Sequence, residues 1–408
     1  MHPVVKPALR QAWRDLRHVQ FGTTAAHAVV MGPVDTATGC LLSLFDGTWG
    51  LPRLRDEARA IGLPDGQVDA LLGRLAKAGL VDDATGGGPA ADALRKRPGA
   101  FDRLRSDLAS LSVVHPEPGG GMGRLAARSA IRVQVRGAGR VGAVLAAALS
   151  AAGVGEVEVL DGGRVEPWDV APGGLPAKAV GERRAAAARQ LVRQSAPGRA
   201  PRAVRRTAGS PPSAESPLTL VIVAPRDGLA AYAPDPGAAE DWVTTGTPHL
   251  YAGVVEATGV VGPLVLPGGT ACAGCLALHR ADRDPVWPRM MAQWSTPGRR
   301  ATGPGACDLA LATAVAGTAA AHALSFLDGE LPASTGARWE VSSPLLDWRS
   351  EQFRPHRDCS CGAAGQTQGE RASKAGTPHD TMAGVTASTE QCHHADAARR
   401  LGFGGAHV

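Results

Sequence analysis

Residues 131–161, IRVQVRGAGRVGAVLAAALSAAGVGEVEVLD, decide the fold. Polar and apolar residues alternate through IRVQVR, the period of a strand. VGAVLAAALSAAG then reads as a helix of small and aliphatic residues, and EVEVLD alternates again before ending on Asp161. Between the first strand and the helix, Gly137, Gly139 and Gly142 form a GxGxxG turn. Strand, glycine turn, helix and strand make a βαβ unit. In such a unit the glycines let backbone N–H groups approach a phosphate at the helix N-terminus, and an acid about 20 residues on accepts ribose hydroxyls. The same pattern also serves as a scaffold with an empty pocket, and the residues alone leave both readings open.

Outward from this unit, 408 residues with 44% hydrophobic content support one substantial core and a second, smaller one. Residues 1–83 read as a compact α+β unit of winged-helix-like order. Strands are expected over 9–16, 18–23 and 27–31, followed by three helices: TGCLLSLFDG, LPRLRDEARAIG, and PDGQVDALLGRLAKAGLVDD, the last with Val68, Leu71, Leu72 and Leu75 at helical spacing. Residues 84–130 are rich in Gly, Pro and Asp and read as a linker around a helix near Phe101–Leu111. An α/β core with a Rossmann-like sheet spans 131–362, and 363–408, poor in large apolar residues, reads as a disordered tail.

The net charge of +5 does not imply nucleic acid, because the basic residues form no dense run interleaved with aromatics. A DNA-reading third helix would carry only Arg74 and Lys77 as cations. The N-terminus has no signal-like apolar core, so the cytosol is the expected compartment. Leu309–Leu327 has the length of a membrane span, but its small residues favour a buried helix, and no membrane partner is expected.

Four of the seven cysteines stand in two tight pairs, Cys272-Ala-Gly-Cys275 and Cys359-Ser-Cys361. Four thiolates so spaced suit a tetrahedral structural zinc with no open position, which would staple the segment after PGGTA to the end of the core. Cys307 precedes an Ala-rich helix with no nearby histidine and reads as a core or cap residue rather than a nucleophile. Cys40 is expected in the core of the first helix, and Cys392 with His393 and His394 reads as a chance cluster in the tail.

The stretch AAGVGEVEVLDGGRVEPWDV resembles the ThiF-like superfamily, the fold of ubiquitin-activating enzymes, which adenylates carboxylates with ATP. VGERRAAAARQLVRQSAPG resembles that family's following helix, and the resemblance continues to HRDCSCG, covering most of 131–362. The departures are equally informative. WDVAPGG replaces the family's Asn-Leu-x-Arg-Gln run, Arg184 stands at its lysine position, and Pro225, Arg226 and Asp227 replace a magnesium-binding acid. The resemblance therefore implies a vestigial nucleotide site of Gly137, Gly139, Gly142, Asp161 and Arg184, with ATP chemistry not expected in this chain, because adenylyl transfer needs cations on the phosphates.

VQFG and LFDG in the first unit resemble the PqqD-like precursor-recognition element, which binds a leader peptide as an added strand. The resemblance implies an edge at Ala28, Val29, Val30 and Met31 and a groove at Val68, Leu71, Leu72 and Leu75. Together, the order of elements resembles the ThiF-like partner proteins of azoline-forming cyclodehydratases. It implies a leader-binding scaffold that serves a YcaO-type enzyme in peptide natural-product (bacteriocin) biosynthesis, with pairing of two copies through the core common in this fold. An active adenylyltransferase is the main alternative, and a winged-helix DNA-binding regulator the second.

Overall fold

The computed structural model describes residues 1–198, 218–295 and 303–365. The first unit is closed on itself by β1 (Pro3–Val5) pairing antiparallel with β5 (Val81–Asp83). Between them lie β2 (Gln11–Trp13), β3 (Val19–Phe21) and β4 (Val29–Met31), an antiparallel sheet in that order, and α1 (Thr36–Ser43), α2 (Leu51–Ala60) and α3 (Gln67–Lys77). Each of β2, β3 and β4 keeps only three residues of its expected run. The Asp15 carboxylate turns the chain after β2 by accepting from the N–H groups of Arg17 and His18. β1 and β5 escaped the sequence reading because three residues show too little alternation. Asp35 caps α1 by accepting from the Thr38 N–H at 2.7 Å. The buried face of α1 is Thr38, Leu41 and Leu42, so Cys40, expected in the core, is exposed instead.

Residues 84–130 are not a linker. They form α4 (Gly88–Arg95), α5 (Pro98–Arg103), α6 (Arg105–Val114) and α7 (Gly120–Ala127), packed through Ala91, Met122 and Ala126 and through Leu104, Leu111 and Leu125. The prolines and glycines that suggested a loop start helices instead: Pro89 and Pro98 stand in first turns, and Gly119 enters α7 at φ 80°. Fully buried Lys6 donates to the His115 carbonyl at 2.9 Å and so ties the first unit to these helices. Arg128 then locks them to the core through a buried two-point bond to Asp328, at 2.9 and 2.7 Å.

The core contains β6 (Arg132–Arg136), α8 (Arg140–Ala151), β7 (Glu156–Leu160), α9 (Arg184–Ser195), β8 (Leu220–Val223), α10 (Leu229–Tyr232), α11 (Pro236–Thr244), β9 (His249–Val255) and β10 (Thr258–Val265). It is completed by α12 (Ala273–Arg283), α13 (Trp287–Trp294), α14 (Leu309–Leu327), β11 (Ala337–Ser342) and β12 (Trp348–Gln352). Its seven strands run in the order β12-β11-β10-β9-β8-β6-β7, parallel from β9 to β7 and antiparallel on the other side. This is the expected α/β, Rossmann-like arrangement. β6 lies between β7 and β8, so the chain leaves it in one direction and returns on the other, opening a crevice at the strands' C-terminal ends. α14 is, among the described residues, the one helix long and apolar enough to cross a membrane. It instead buries Leu311, Val315, Phe326 and Leu327 in the main core.

Candidate functional site

The crevice opens into a cavity of about 2100 Å³ whose floor is the glycine turn after β6 and the Pro225–Asp227 segment after β8. Gly137, at φ 115°, and Gly142 are required by the fold itself: a Cβ on Gly137 would collide with the Ala224 carbonyl, and one on Gly142 with the Gly137 carbonyl. Gly139 is freer, its nearest neighbour being the Arg226 side chain at 3.3 Å. Two of the three motif glycines thus have a packing reason independent of any ligand.

Four of the charges around the floor, Asp161, Arg184, Asp169 and Arg226, are linked to one another. Asp161, the acid reserved for ribose in the sequence reading, accepts from the N–H of Ala138 at 2.8 Å, from the N–H of Gly163 at 2.9 Å and from Arg184 Nε at 2.8 Å. Asp169, only 2% exposed, accepts from Arg226 Nε at 2.6 Å and lies 3.6 Å from Arg184 Nη1. Arg226 belongs to the Pro225, Arg226 and Asp227 segment that the resemblance sets against the family's magnesium-binding acid. The result is a chain, Asp161–Arg184–Asp169–Arg226, buried except at partly exposed Arg226, in which each charge has an opposite neighbour.

The expectation of a pocket stripped of cations is corrected here. Four arginines line the cavity: Arg184 and Arg226 in the chain just described, and Arg136 and Arg140, which have no carboxylate partner among the described residues. Arg140 donates to the carbonyls of Trp168 at 2.7 Å and Cys307 at 2.8 Å, while Arg136 stacks 4.7 Å from the Trp242 ring centre. Arg140, supplied by the first turn of α8, stands in no motif that marks it as a cavity residue. Cys307 lines the cavity too; burial pushes its thiol up, and among the described residues no histidine lines the wall beside it.

The two cysteine pairs meet. Cys272 and Cys275, at the start of α12 and 3.9 Å apart at Sγ, each lie 3.6 Å from a sulfur of the loop after β12, Cys272 from Cys359 and Cys275 from Cys361. All four sulfurs lie within 4.8 Å of one another. Thiolates ~2.3 Å from a tetrahedral zinc lie about 3.8 Å apart, so the spacing fits a four-sulfur metal site. Gly274 is needed there, because a Cβ would sit 3.0 Å from Cys359 Sγ. The contact between Cys272 and Cys275 takes the Cys272 thiol down to about 5 and raises that of Cys275, while burial pushes Cys361 up to about 11. A bound Zn2+ would supply the positive charge that lets all four act as thiolates, and its chemistry here would be structural.

In the first unit β4 stands at a free edge of its sheet, with Ala28 exposed just before it, Val29 half-buried, Val30 47% exposed and Met31 buried. Of the expected groove, Val68, Leu71 and Leu75 belong to the core rather than to a surface, because α3 packs against α2 and β5 and turns that face inward; Leu72 alone stays half-buried. The Cys392, His393 and His394 cluster lies outside the described residues.

A mixed sheet carrying a glycine turn at its switch point, with a thiol cluster closing its far end, defines an α/β protein of the dinucleotide-fold type. The chain belongs to the ThiF family, whose profile matches residues 117–363. Among solved structures, E. coli MccB with AMPCPP and selenomethionine MccA aligns at a TM-score of 0.62 and 13% identity, over 89% of this chain and 100% of MccB. E. coli MccB with ATP aligns at 0.61 and 13%, over 90% and 100%. The heterocyclase TruD aligns at 0.54 and 15%, over 89% of this chain but 43% of TruD. At such identities the likeness shows the fold. No curated protein matches the chain.

Proposed function

We propose that this chain binds the leader segment of a ribosomal precursor peptide as an added strand on β4 and presents the peptide to a YcaO-type, ATP-dependent cyclodehydratase that forms azoline rings. In this reading the ThiF-type core is a scaffold without adenylation chemistry of its own, braced by Zn2+ on Cys272, Cys275, Cys359 and Cys361. One observation carries it: Asp161 and Arg184, the acid and the arginine of the expected nucleotide site, are bonded to each other and linked to Asp169 and Arg226. Support also comes from the free edge of β4, whose unpaired N–H and C=O groups are what a peptide strand requires. MccB solved with MccA, named in one structure as a microcin C7 biosynthetic enzyme, and the heterocyclase TruD are fold relatives consistent with a peptide substrate. Titrating a fluorescent leader, taken from a precursor encoded beside a YcaO protein, onto the full chain tests this. Saturable binding that Val30→Glu weakens at least tenfold is expected; a leader that fails to bind overturns the reading.

A second reading, an active adenylyltransferase, is favoured by Arg136 and Arg140, which are without carboxylate partners in the cavity, and by full-length likeness to MccB, solved with ATP and with AMPCPP. There the two arginines would meet the phosphates. ATP–pyrophosphate exchange by the chain separates the readings.

A further inference from the structure

The loop that delivers Cys359 and Cys361 is gripped by one side chain. We propose that His356 is the positioning residue of the four-sulfur site, bracing the loop against α12 so that the thiols stand at metal-binding distances before a metal arrives. The proposal rests on the metal reading of the four cysteines and concerns how that site is built.

His356 is 6% exposed. Its Nε2 lies 2.9 Å from Asp282 Oδ2 on α12, the helix whose first turn carries Cys272 and Cys275. Its Nδ1 accepts from the Asp358 N–H at 3.1 Å, which assigns the proton to Nε2 and makes that nitrogen the donor to Asp282. The ring meets His279 edge-on, 4.7 Å between centres, and His279 Nε2 holds the Arg354 carbonyl at 2.9 Å. The main chain of His356 serves the same end. Its carbonyl accepts from the Cys359 N–H at 3.1 Å, and its own N–H faces the Cys275 sulfur. One residue thus reaches both segments that supply thiols.

His279, Asp282 and His356 also bring their donor atoms within 4.8 Å of one another, which invites a second metal. The hydrogen bonds decide against it: both nitrogens of His356 are engaged, so a metal at Nε2 would have to evict the proton while Nδ1 still accepts from Asp358. The trio is a brace. Residues that orient metal ligands in this way typically change affinity 10–100-fold when removed.

The test is Co2+ titration of metal-free full chain, followed by Zn2+ competition against a chelator, for wild type, His356→Ala, Asp282→Ala and His356→Gln. Wild type is expected to take one Co2+ with the absorption of a four-thiolate site. Both alanine variants should give the same spectrum with Zn2+ affinity lowered 10–100-fold, and His356→Gln, whose amide can still donate to Asp282, should recover most of the loss. Equal thermal melts of the metal-free proteins establish that the fold survives; Asp282→Ala decides the matter if His356→Ala does not fold. Affinities within threefold of wild type overturn the proposal, as does a second Co2+ that the variants lose. A wild-type chain without the four-thiolate spectrum overturns the metal reading itself.

Discussion

Arg184→Met removes the one cation shared by Asp161 and Asp169, and its cost follows from what each acid keeps. Asp161, whose side chain is 7% exposed, retains the N–H groups of Ala138 and Gly163; Asp169, 2% exposed, retains Arg226 and the Glu166 N–H. Breaking a buried pair by deleting one partner costs about 3–5 kcal/mol, because the stranded charge stays desolvated. The residual donors place this case at the lower end, about 3 kcal/mol, or roughly a hundredfold in the folding equilibrium. Urea unfolding followed by far-UV circular dichroism reads it. With a slope of about 2–3 kcal/mol per molar, the midpoint should fall by about 1–1.5 M at unchanged slope. Adding Asp161→Leu removes the stranded charge, and the double variant should be more stable than Arg184→Met alone. A single variant within about 0.5 kcal/mol of wild type would refute the claim that these four charges depend on one another.

Three further outcomes follow from the fold. Arg128→Met strands buried Asp328 and frees α7 from α14, so unfolding should come about 3–5 kcal/mol sooner, whereas exposed Arg59→Met should change stability by less than 1 kcal/mol. Burial takes His249 down to about 4, and the unfolded imidazole titrates near 6.5, so the unfolded state binds more protons between those values. Stability should therefore be flat above pH 6.5 and fall by about 3 kcal/mol as pH drops toward 4, a dependence that His249→Phe should flatten in a pH series of urea melts. On the leader, Leu72→Glu should weaken binding about tenfold and leave the thermal melt within a few degrees, while Leu71→Glu, at a fully buried position, should unfold the first unit.

Much of the architecture was legible because it is local. The strand alternation flanking Gly137 and the two cysteine spacings each lie within a short run, and the family match and the sulfur distances agree with them. The charge chain was not legible, since Asp169 and Arg226 stand 57 residues apart and meet because β7 and β8, the strands they follow, flank β6 on its two sides. Residues 84–130 misled for a different reason: glycine and proline break helices from inside but also begin them, and the sequence does not show which until Ala91, Met122 and Leu125 are seen to pack. On α3, helical spacing identified an apolar face correctly, yet spacing cannot tell a core-facing stripe from a groove-facing one. His356 left no signal, because its partner on α12 is 74 residues away.

The central claim is that this chain binds a precursor peptide on its first unit while its ThiF-type core does not adenylate one. ATP–pyrophosphate exchange, measured with the full chain, Mg2+ and the intact precursor peptide, tests it most directly. Label incorporation indistinguishable from a protein-free blank is predicted; exchange that rises with protein concentration and requires the precursor would contradict the account.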